Sequence, residues 1–189
     1  MAKIGLKYPV YNGSSGGAVL AKAIQADITI ETNDAVLYAD DGIAETDKSF
    51  RTGTITVGID DLSDTAQVDI LGHSLSGGEI TANSGDEPPI VGFGFYGVKK
   101  VNDVKKYRAI WLPRVQFAEP ADSNATKGDT TVFNTPVVTG TIMTDETGNW
   151  KQEQTFDNEG DARAYLGDKA GIPGQDSGGL TGLTMTGTG

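Results

Sequence analysis

The sequence predicts a mainly β protein, an antiparallel sandwich or barrel with one or two short helices packed at one side. Apolar and polar residues alternate with a period of two in about seven segments of the chain. Turns rather than crossover helices join most of these segments. Glycine, which is typical of turns, accounts for 26 of the 189 residues.

Two strands and a loop are predicted in the first 49 residues. Residues 4–10 alternate as a half-buried strand does, and Pro9 favours an edge strand or an arm because proline donates no hydrogen bond to a sheet. A second strand over residues 26–31 has one apolar and one acidic face. Residues 33–49 lose the alternation and carry several carboxylates, which predicts a long acidic loop.

A strand followed by a helix is predicted next. Residues 50–59 alternate threonines with isoleucine and valine, a composition that favours a strand. Apolar residues then recur at four-residue intervals over residues 62–70, the spacing of one helix face. Asp60 or Asp61 is the predicted N-cap, and Gly72 is the predicted C-cap.

The second half of the chain is predicted to begin with a hairpin. Residues 90–98 and 107–117 both alternate, and Asn102 and Asp103 supply a short turn between them. The remaining predicted elements are strands at 132–143 and 150–156 and a helix that starts near Asp157 or Asn158 and ends at Gly171.

These elements predict one β domain with two arms. Residues 1–18 form the predicted N-terminal strand or arm, and residues 19–170 form the domain. Residues 171–189 form a glycine-rich C-terminal arm with seven glycines in 19 residues. Such a composition buries too little apolar surface to fold alone.

Composition and charge exclude several classes of function. The formal charge of −11 and a pI near 4.4 disfavour general affinity for nucleic acid or anionic lipid. The chain has no cysteine and one histidine, so it offers no cysteine nucleophile, disulfide or Cys/His zinc site. No apolar run approaches the roughly 20 residues of a membrane span, and the N-terminus lacks a signal-peptide pattern. We expect no membrane partner and synthesis in the cytosol.

Two segments match or nearly match sequence motifs of cofactor or catalytic sites, but they lack the secondary structure that these motifs need. Residues 92–97 spell GxGxxG inside a predicted strand, whereas dinucleotide binding needs it between a strand and a helix. We therefore expect these glycines to make room for Phe93, Phe95 and Tyr96, or for a neighbour's backbone. Residues 72–76 resemble a nucleophile elbow without its last glycine, and His73 is expected to be an exposed loop residue. No catalytic, metal or cofactor residue is assigned, and an enzyme is not expected.

The charges are distributed in two opposite patches. Residues 27–69 hold eleven carboxylates and two cations, and residues 99–114 hold six cations and one carboxylate. Complementary patches permit head-to-tail contact between copies, although a merely solvated surface fits the charges equally well. The acidic cluster of Asp40, Asp41, Glu45 and Asp47 lacks the spacing of an EF-hand calcium loop, so a partner-facing or solvated loop is expected.

Several sequence blocks, in order, resemble the major tail proteins of long-tailed phages of Gram-positive bacteria. The blocks are YADDGIAETDKSF with GTITVGIDDL, VGFGFYGVKK, YRAIWLPRVQFAEPAD, TKGDTTVFNTPVVTGTI and WKQEQTFDNEGDARAYL. The resemblance covers roughly residues 2–170. It implies a β-sandwich of the phage tail-tube type with extended terminal arms.

The resemblance also implies a function in the virion. Subunits of this family close into hexameric rings that stack into a tube, through which genomic DNA passes without specific binding. The implied partners are further copies, a tape measure protein, a tail terminator and a distal tail protein, with assembly in the host cytoplasm. Residues 33–49, 1–18 and 171–189 match the segments that reach the adjacent ring. Alternatives are a tail terminator or distal tail protein of similar fold, or a β-sandwich adhesin, which would need an export signal.

Two hypotheses place residues within such a tube. Asp27 and Glu31, on the polar face of their strand, are predicted to face the bore. The basic hairpin of one subunit is predicted to dock on the acidic segment 40–47 of the next. The candidate contact residues are Lys99, Lys100, Lys105, Lys106 and Arg108 on the basic side and Asp40, Asp41, Glu45 and Asp47 on the acidic side.

Overall fold

A computed structural model describes residues 3–33, 35–39, 42–101, 103–120 and 135–173. These residues form twelve strands and two α-helices, and the sheets are antiparallel, which confirms the predicted fold class. The elements are β1 (Lys3–Gly13), β2 (Gly16–Val19), β3 (Ala23–Thr32), β4 (Ala35–Ala39), β5 (Gly42–Asp47), β6 (Phe50–Ile59), α1 (Asp64–Leu71), β7 (Ser74–Ser76), β8 (Glu79–Thr81), β9 (Ile90–Val101), β10 (Val104–Ala118), β11 (Val137–Met143), β12 (Gln152–Phe156) and α2 (Glu159–Ala170).

Eight of the strands form one sheet, which divides into two layers at β10. The order is β2-β1-β9-β10-β11-β6-β3, with β12 also paired to β10. The ladder between β9 and β10 shifts register between Leu112 and Val115. Before this shift β10 pairs with β12, and after it β10 pairs with β11. The first layer therefore contains β2, β1, β9 and β12, the second contains β11, β6 and β3, and β10 runs through both.

The main core lies between the layers and beneath α1, and a second cluster lies beneath α2. Inward residues of β6 such as Ile55 and Val57 are fully buried in the main core with Phe93 and Phe117. In the second cluster, Leu166 of α2 packs against the opposite face of the first layer. Each layer thus shares one face with the main core. Within the described ranges, a helix covers the other face of the first layer but not that of the second.

Both helices have the predicted C-caps, Gly72 and Gly171, each with positive φ. Asn158 is the N-cap of α2 and was one of the two predicted starting positions of this helix. The predicted N-cap of α1 was wrong, because Ser63 accepts the hydrogen bond from the Ala66 amide. Asp60 instead accepts a hydrogen bond from the Lys22 amide across 2.9 Å.

The first strand is more central than its proline suggested. β1 lies between β2 and β9 rather than at an edge of the sheet. Pro9 is accommodated because the ladder to β9 shifts register between Lys7 and Val10, and Tyr8 within this bulge has a φ of 58°. The Pro9 carbonyl accepts a hydrogen bond from the Leu20 amide instead. A bulge, and not an edge position, explains this proline.

The prediction of a long acidic loop over residues 33–49 was wrong. β4 and β5 form an antiparallel hairpin there. It continues the β3–β6 pair, because the Asn33 amide donates to the Ser49 carbonyl across 2.9 Å between the two ladders. The predicted β9–β10 hairpin is confirmed. Of the strand predicted at 132–143, residues 132–134 lie outside the described residues, and β11 occupies 137–143.

Candidate functional site

The outer face of the second layer presents a polar surface built by strand periodicity. We call it the threonine face: the outward residues of β3, β6 and β11. In the ladder, Thr29 lies opposite Thr54, and Thr54 lies opposite Thr141. The inward neighbours of these residues fill the main core, so the hydroxyls point away from it. The outward residues are Gln25, Asp27, Thr29, Glu31, Thr52, Thr54, Thr56, Gly58, Val137, Thr139, Thr141 and Met143. Arg51, the one basic residue of these three strands, is exposed at the register shift beside Thr52.

The two predicted bore residues lie on this face. Asp27 and Glu31 are both exposed and sit on β3, opposite Thr56 and Thr52 respectively. Asp27 accepts a 2.5 Å hydrogen bond from the Gln25 side chain. Glu31 makes no hydrogen bond or ion pair within the described part of the chain. The threonine face therefore has a negative margin along β3, and its orientation toward a bore stays a prediction.

That margin is also an open sheet edge. Within the described residues β3 pairs only with β6, although it is ten residues long. Its inner side packs near β1, so the strand is held in place while one row of its backbone N–H and C=O groups lacks a sheet partner. Long unpaired edges of this kind are templates for pairing with another chain.

The predicted basic contact surface is largely neutralised within its own chain. Lys100 pairs with Asp103 at 2.6 Å. Lys106 pairs with Asp157, and Arg108 pairs with Glu153. Lys99 and Lys105 have no ion-pair partner among the described residues. Burial alone would raise the pKa of Glu153, but Arg108 and Lys151 outweigh it and lower that pKa below its ordinary value.

The acidic half of the predicted contact is described in part. Asp40 and Asp41 lie outside the described residues. Glu45 and Asp47 belong to β5, which pairs with β4. The structure does not bring the acidic and basic candidates together within one chain through any described contact, and their meeting between copies stays a prediction.

Asp69 is a buried carboxylate, although the sequence analysis included it in the acidic patch of residues 27–69. It is 1% exposed on α1 and accepts hydrogen bonds from Tyr11 (3.1 Å), the Ser14 hydroxyl (3.2 Å) and the Ser15 hydroxyl (2.7 Å). Burial and the neighbouring carboxylate raise the pKa of Tyr11. Asp69 thus fixes the β1–β2 turn to α1. Its place three residues after Ala66, on the apolar side of the helix, was the available signal.

His73 is buried, which corrects the expectation of an exposed loop histidine. Its side chain is 6% exposed, and its Nε2 lies 3.0 Å from a carboxylate oxygen of Glu119 at the end of β10. Its Nδ1 has no hydrogen-bond partner in the described structure. The Nε2 atom is thus directed at a carboxylate, whereas Ser74, the serine of the elbow-like pattern, is exposed.

Gly92 and Gly94 of the GxGxxG pattern make room for a side chain, but it is Trp111 of β10 rather than the predicted Phe93, Phe95 or Tyr96. A Cβ on Gly92 would lie 2.4 Å from the Trp111 ring, and one on Gly94 would lie 2.6 Å from it. The indole fills the space above both glycines, which accounts for these two positions without a cofactor.

Other site types find no support in the described residues. They contain no group of three His, Cys, Asp or Glu side chains arranged to hold a metal ion. No helix in the described ranges has the length and apolar character needed to cross a membrane.

Comparisons with known proteins were made by sequence and by structure. No family model matches the sequence, and no curated protein matches it. Among solved structures, one described as the cryo-EM structure of the anti-feeding prophage cap (AFP tube terminating cap) aligns with 82% of this chain and 93% of its own. The TM-score is 0.45 and the sequence identity is 8%.

Proposed function

We propose that the chain is a structural subunit of a phage tail, specifically the major subunit of the tail tube. The observation that carries this proposal is the threonine face beside the unpaired edge of β3. A solvent-facing sheet with a single cation, Arg51 near the start of β6, lies next to a ten-residue edge and suits a wall that is completed by other copies. The role is one of assembly, with no catalytic step.

The chemistry of the face suits a passage for DNA. Lysine and arginine hold phosphates by releasing condensed counterions, and β3, β6 and β11 contain one such residue, Arg51 near the start of β6. Asp27 and Glu31 add repulsion toward phosphates. In the proposed tube these two carboxylates and the threonine hydroxyls line the bore, so that genomic DNA slides without being retained.

The open edge supports ring formation. Pairing β3 with a neighbouring copy would satisfy its backbone groups, and repetition around a closed ring would leave no edge exposed. Six copies per ring and stacked rings follow from the resemblance to major tail proteins. The proposed partners beyond further copies are the tape measure, tail terminator and distal tail proteins, and the proposed location is the virion after assembly in the host cytoplasm.

Negative-stain electron microscopy of the purified chain across protein and salt concentrations tests the proposal. We expect rings or hollow tubes of uniform bore. Rings that never stack would favour a terminator or distal tail protein instead. A chain that stays monomeric under every condition, including in the presence of a tape measure segment, would contradict the tube assignment.

Charge reversal inside the bore tests the orientation of the threonine face. In tubes of the Asp27→Lys/Glu31→Lys variant, we expect short DNA duplexes to bind in the bore and to resist nuclease. The matched control is Glu79→Lys/Glu146→Lys, which changes the net charge equally at two exposed positions on other segments. Equal nuclease sensitivity of DNA bound to both variants would show that Asp27 and Glu31 do not face the bore.

A further inference from the structure

A groove opens between the two layers where β9 and β10 extend toward their connecting turn. Its volume is about 550 Å³, which lies within the roughly 300–1,000 Å³ of typical small-molecule sites. Residues of β1, β3, β9 and β10 and the segment that leads into β12 line it. Trp150 closes one side and stacks on Phe50 of β6, with ring centroids 4.9 Å apart. The groove therefore has the size and the walls of a ligand site.

The floor of the groove is apolar. Leu6 and Ile110 are half-buried, and Phe95 is 6% exposed. These side chains pack in the main core and also border the groove. Gly97 leaves room above the floor, because a Cβ at this position would have only the Gly5 carbonyl oxygen within 4 Å, at 3.7 Å. An apolar surface that polar residues surround marks an interaction site more often than plain solvent contact.

The groove changes from apolar to cationic along β9 and β10. In the ladder, Phe95 lies opposite Ile110, and two residues further on Gly97 lies opposite Arg108. Lys99 follows on the same face of β9, about 13 Å from Phe95 at the rise of a strand. The apolar end and the cationic end thus lie in line on one surface.

The cationic end includes an amine without a partner. Lys99 is half-buried and makes no ion pair within the described residues. Arg108 and Lys151, the latter at 3.3 Å, share the carboxylate of Glu153. Asp27 is the other carboxylate that lines the groove. Three cations and two carboxylates therefore line it, which leaves one positive charge for an anion to neutralise.

We propose that the groove binds a linear amphiphile with one negative charge, a medium-chain fatty acid carboxylate. Its alkyl chain lies along Leu6, Phe95 and Ile110, and its carboxylate pairs with Lys99. A single anionic head group complements the single excess cation, and an unbranched chain fits a groove that is apolar at one end and cationic at the other. The inference goes beyond the proposed function and does not depend on it.

Calorimetric titration of the purified chain with dodecanoate, below the concentration at which micelles form, tests the site. We expect saturable binding of one molecule per chain. Decanoate and octanoate should bind more weakly, by about fourfold for each methylene removed. Gly97→Val should weaken dodecanoate binding at least tenfold, because its methyl groups occupy the groove. The matched control is Gly58→Val on the threonine face, where an added Cβ meets its nearest atoms at 3.9 Å, and it should bind as wild type does.

The head group is tested at two lysines of the same hairpin. Lys99→Gln should weaken dodecanoate binding roughly threefold to fivefold, the effect of one partly exposed ion pair. Lys105 is also unpaired within the described residues but does not line the groove, so Lys105→Gln should leave the affinity unchanged. Decanol, which carries no charge, should bind equally to wild type and to Lys99→Gln. Equal dodecanoate binding by Lys99→Gln and wild type would overturn the pairing of the carboxylate with Lys99.

Fluorescence quenching locates the bound chain, because a bromine atom quenches an indole that it contacts. The protein has two tryptophans. Trp150 borders the groove, whereas Trp111 is 5% exposed beneath α2. Dodecanoate with a terminal bromine should quench wild type but not Trp150→Phe, which keeps an aromatic ring against Phe50.

Three results would overturn the site. They are the absence of saturable binding, equal quenching of Trp150→Phe and wild type, and a Gly97→Val variant that binds as tightly as wild type. An affinity for dodecanoate that falls as the protein concentration rises would show that a second copy occupies the groove instead.

Discussion

The two outer faces of the sandwich differ, since a helix covers one of them and the other is polar and exposed. On the first layer, α2 covers Trp111, Tyr96 and Ala109, and Leu166 of the helix is fully buried against them. On the second layer, the threonine face is left uncovered by α2 and carries hydroxyls and carboxylates. The same strand periodicity produces both faces. Within the described residues, a helix of the chain covers one face, and the other face is open to solvent or to an assembly.

A hydrogen bond and ion pairs at the start of α2 also hold this helix on the covered face. Glu159 accepts a hydrogen bond from the Tyr96 hydroxyl and lies 3.6 Å from Arg163 and 3.8 Å from Lys7. Burial, followed by the bond to Glu159, raises the pKa of Tyr96 to about 12. The Tyr96 hydrogen bond, followed by the nearby cations, lowers the pKa of Glu159. No comparable network exists among the described residues of the threonine face.

The sharpest test of the contrast adds one methyl group to each face. Gly94→Ala would place a Cβ 2.6 Å from Trp111, 2.8 Å from Leu166 and 3.0 Å from the Ile110 carbonyl. We expect it to lower the free energy of unfolding by about 1–3 kcal/mol, the usual cost of overpacking. Gly58→Ala meets only ordinary contacts at 3.9 Å. It should be neutral or gain up to about 1 kcal/mol, because glycine is costly inside a strand.

Urea denaturation monitored by the fluorescence of the two tryptophans measures both changes. Equal effects of the two substitutions would mean that α2 does not pack on Gly94 as described, or that the threonine face is itself covered.

The sequence predicted most strands because their periodicity is local. The alternation of β3 and β6 placed Asp27 and Glu31 on an exposed face, and the structure confirms that exposure. The β9–β10 hairpin was predicted for the same reason. The hairpin of β4 and β5 was missed, since its pattern of carboxylates between apolar residues resembles a loop when pairing partners are unknown.

The remaining errors concern contacts between residues far apart in the chain. Asp69 accepts a hydrogen bond from the hydroxyl of Tyr11, which lies 58 residues earlier in the chain. His73 is enclosed because β10 ends beside it, where Glu119 pairs with it. The burial of His73 leaves no periodic signal, and the burial of Asp69 leaves only its position three residues after Ala66 on the apolar side of α1. The partial neutralisation of the basic hairpin is of the same kind, because Asp157 and Glu153 come from the segment around β12.

A smaller effect is expected from removing the charge that fastens α2. The folded-state pKa of Glu159 is depressed, so its contribution is complete above the ordinary glutamate value of 4.5 and is lost as the pH falls through the folded-state pKa. Glu159→Gln should therefore lower stability at pH 7 by less than about 1 kcal/mol, because solvent screens these pairs. The difference from wild type should shrink as the pH falls below 4.5.

Denaturant midpoints between pH 3 and 7 measure this convergence, and Glu31→Gln on the threonine face is the matched control. A difference between Glu159→Gln and wild type that stays constant over this range would show that the carboxylate charge does not fasten the helix.

The smallest effect is expected at the centre of the threonine face. Thr54 lies between Thr29 and Thr141 and is exposed, so Thr54→Val keeps the branched shape and exchanges a hydrated hydroxyl for a methyl group. We expect the free energy of unfolding to change by less than about 0.5 kcal/mol. The inverse exchange three residues on, Val57→Thr, buries a hydroxyl among apolar neighbours and should cost about 1–3 kcal/mol. Urea denaturation of dilute, unassembled protein measures both. A large loss from Thr54→Val would mean that the chain itself covers this face, which would remove the main support for its role as the wall of a tube.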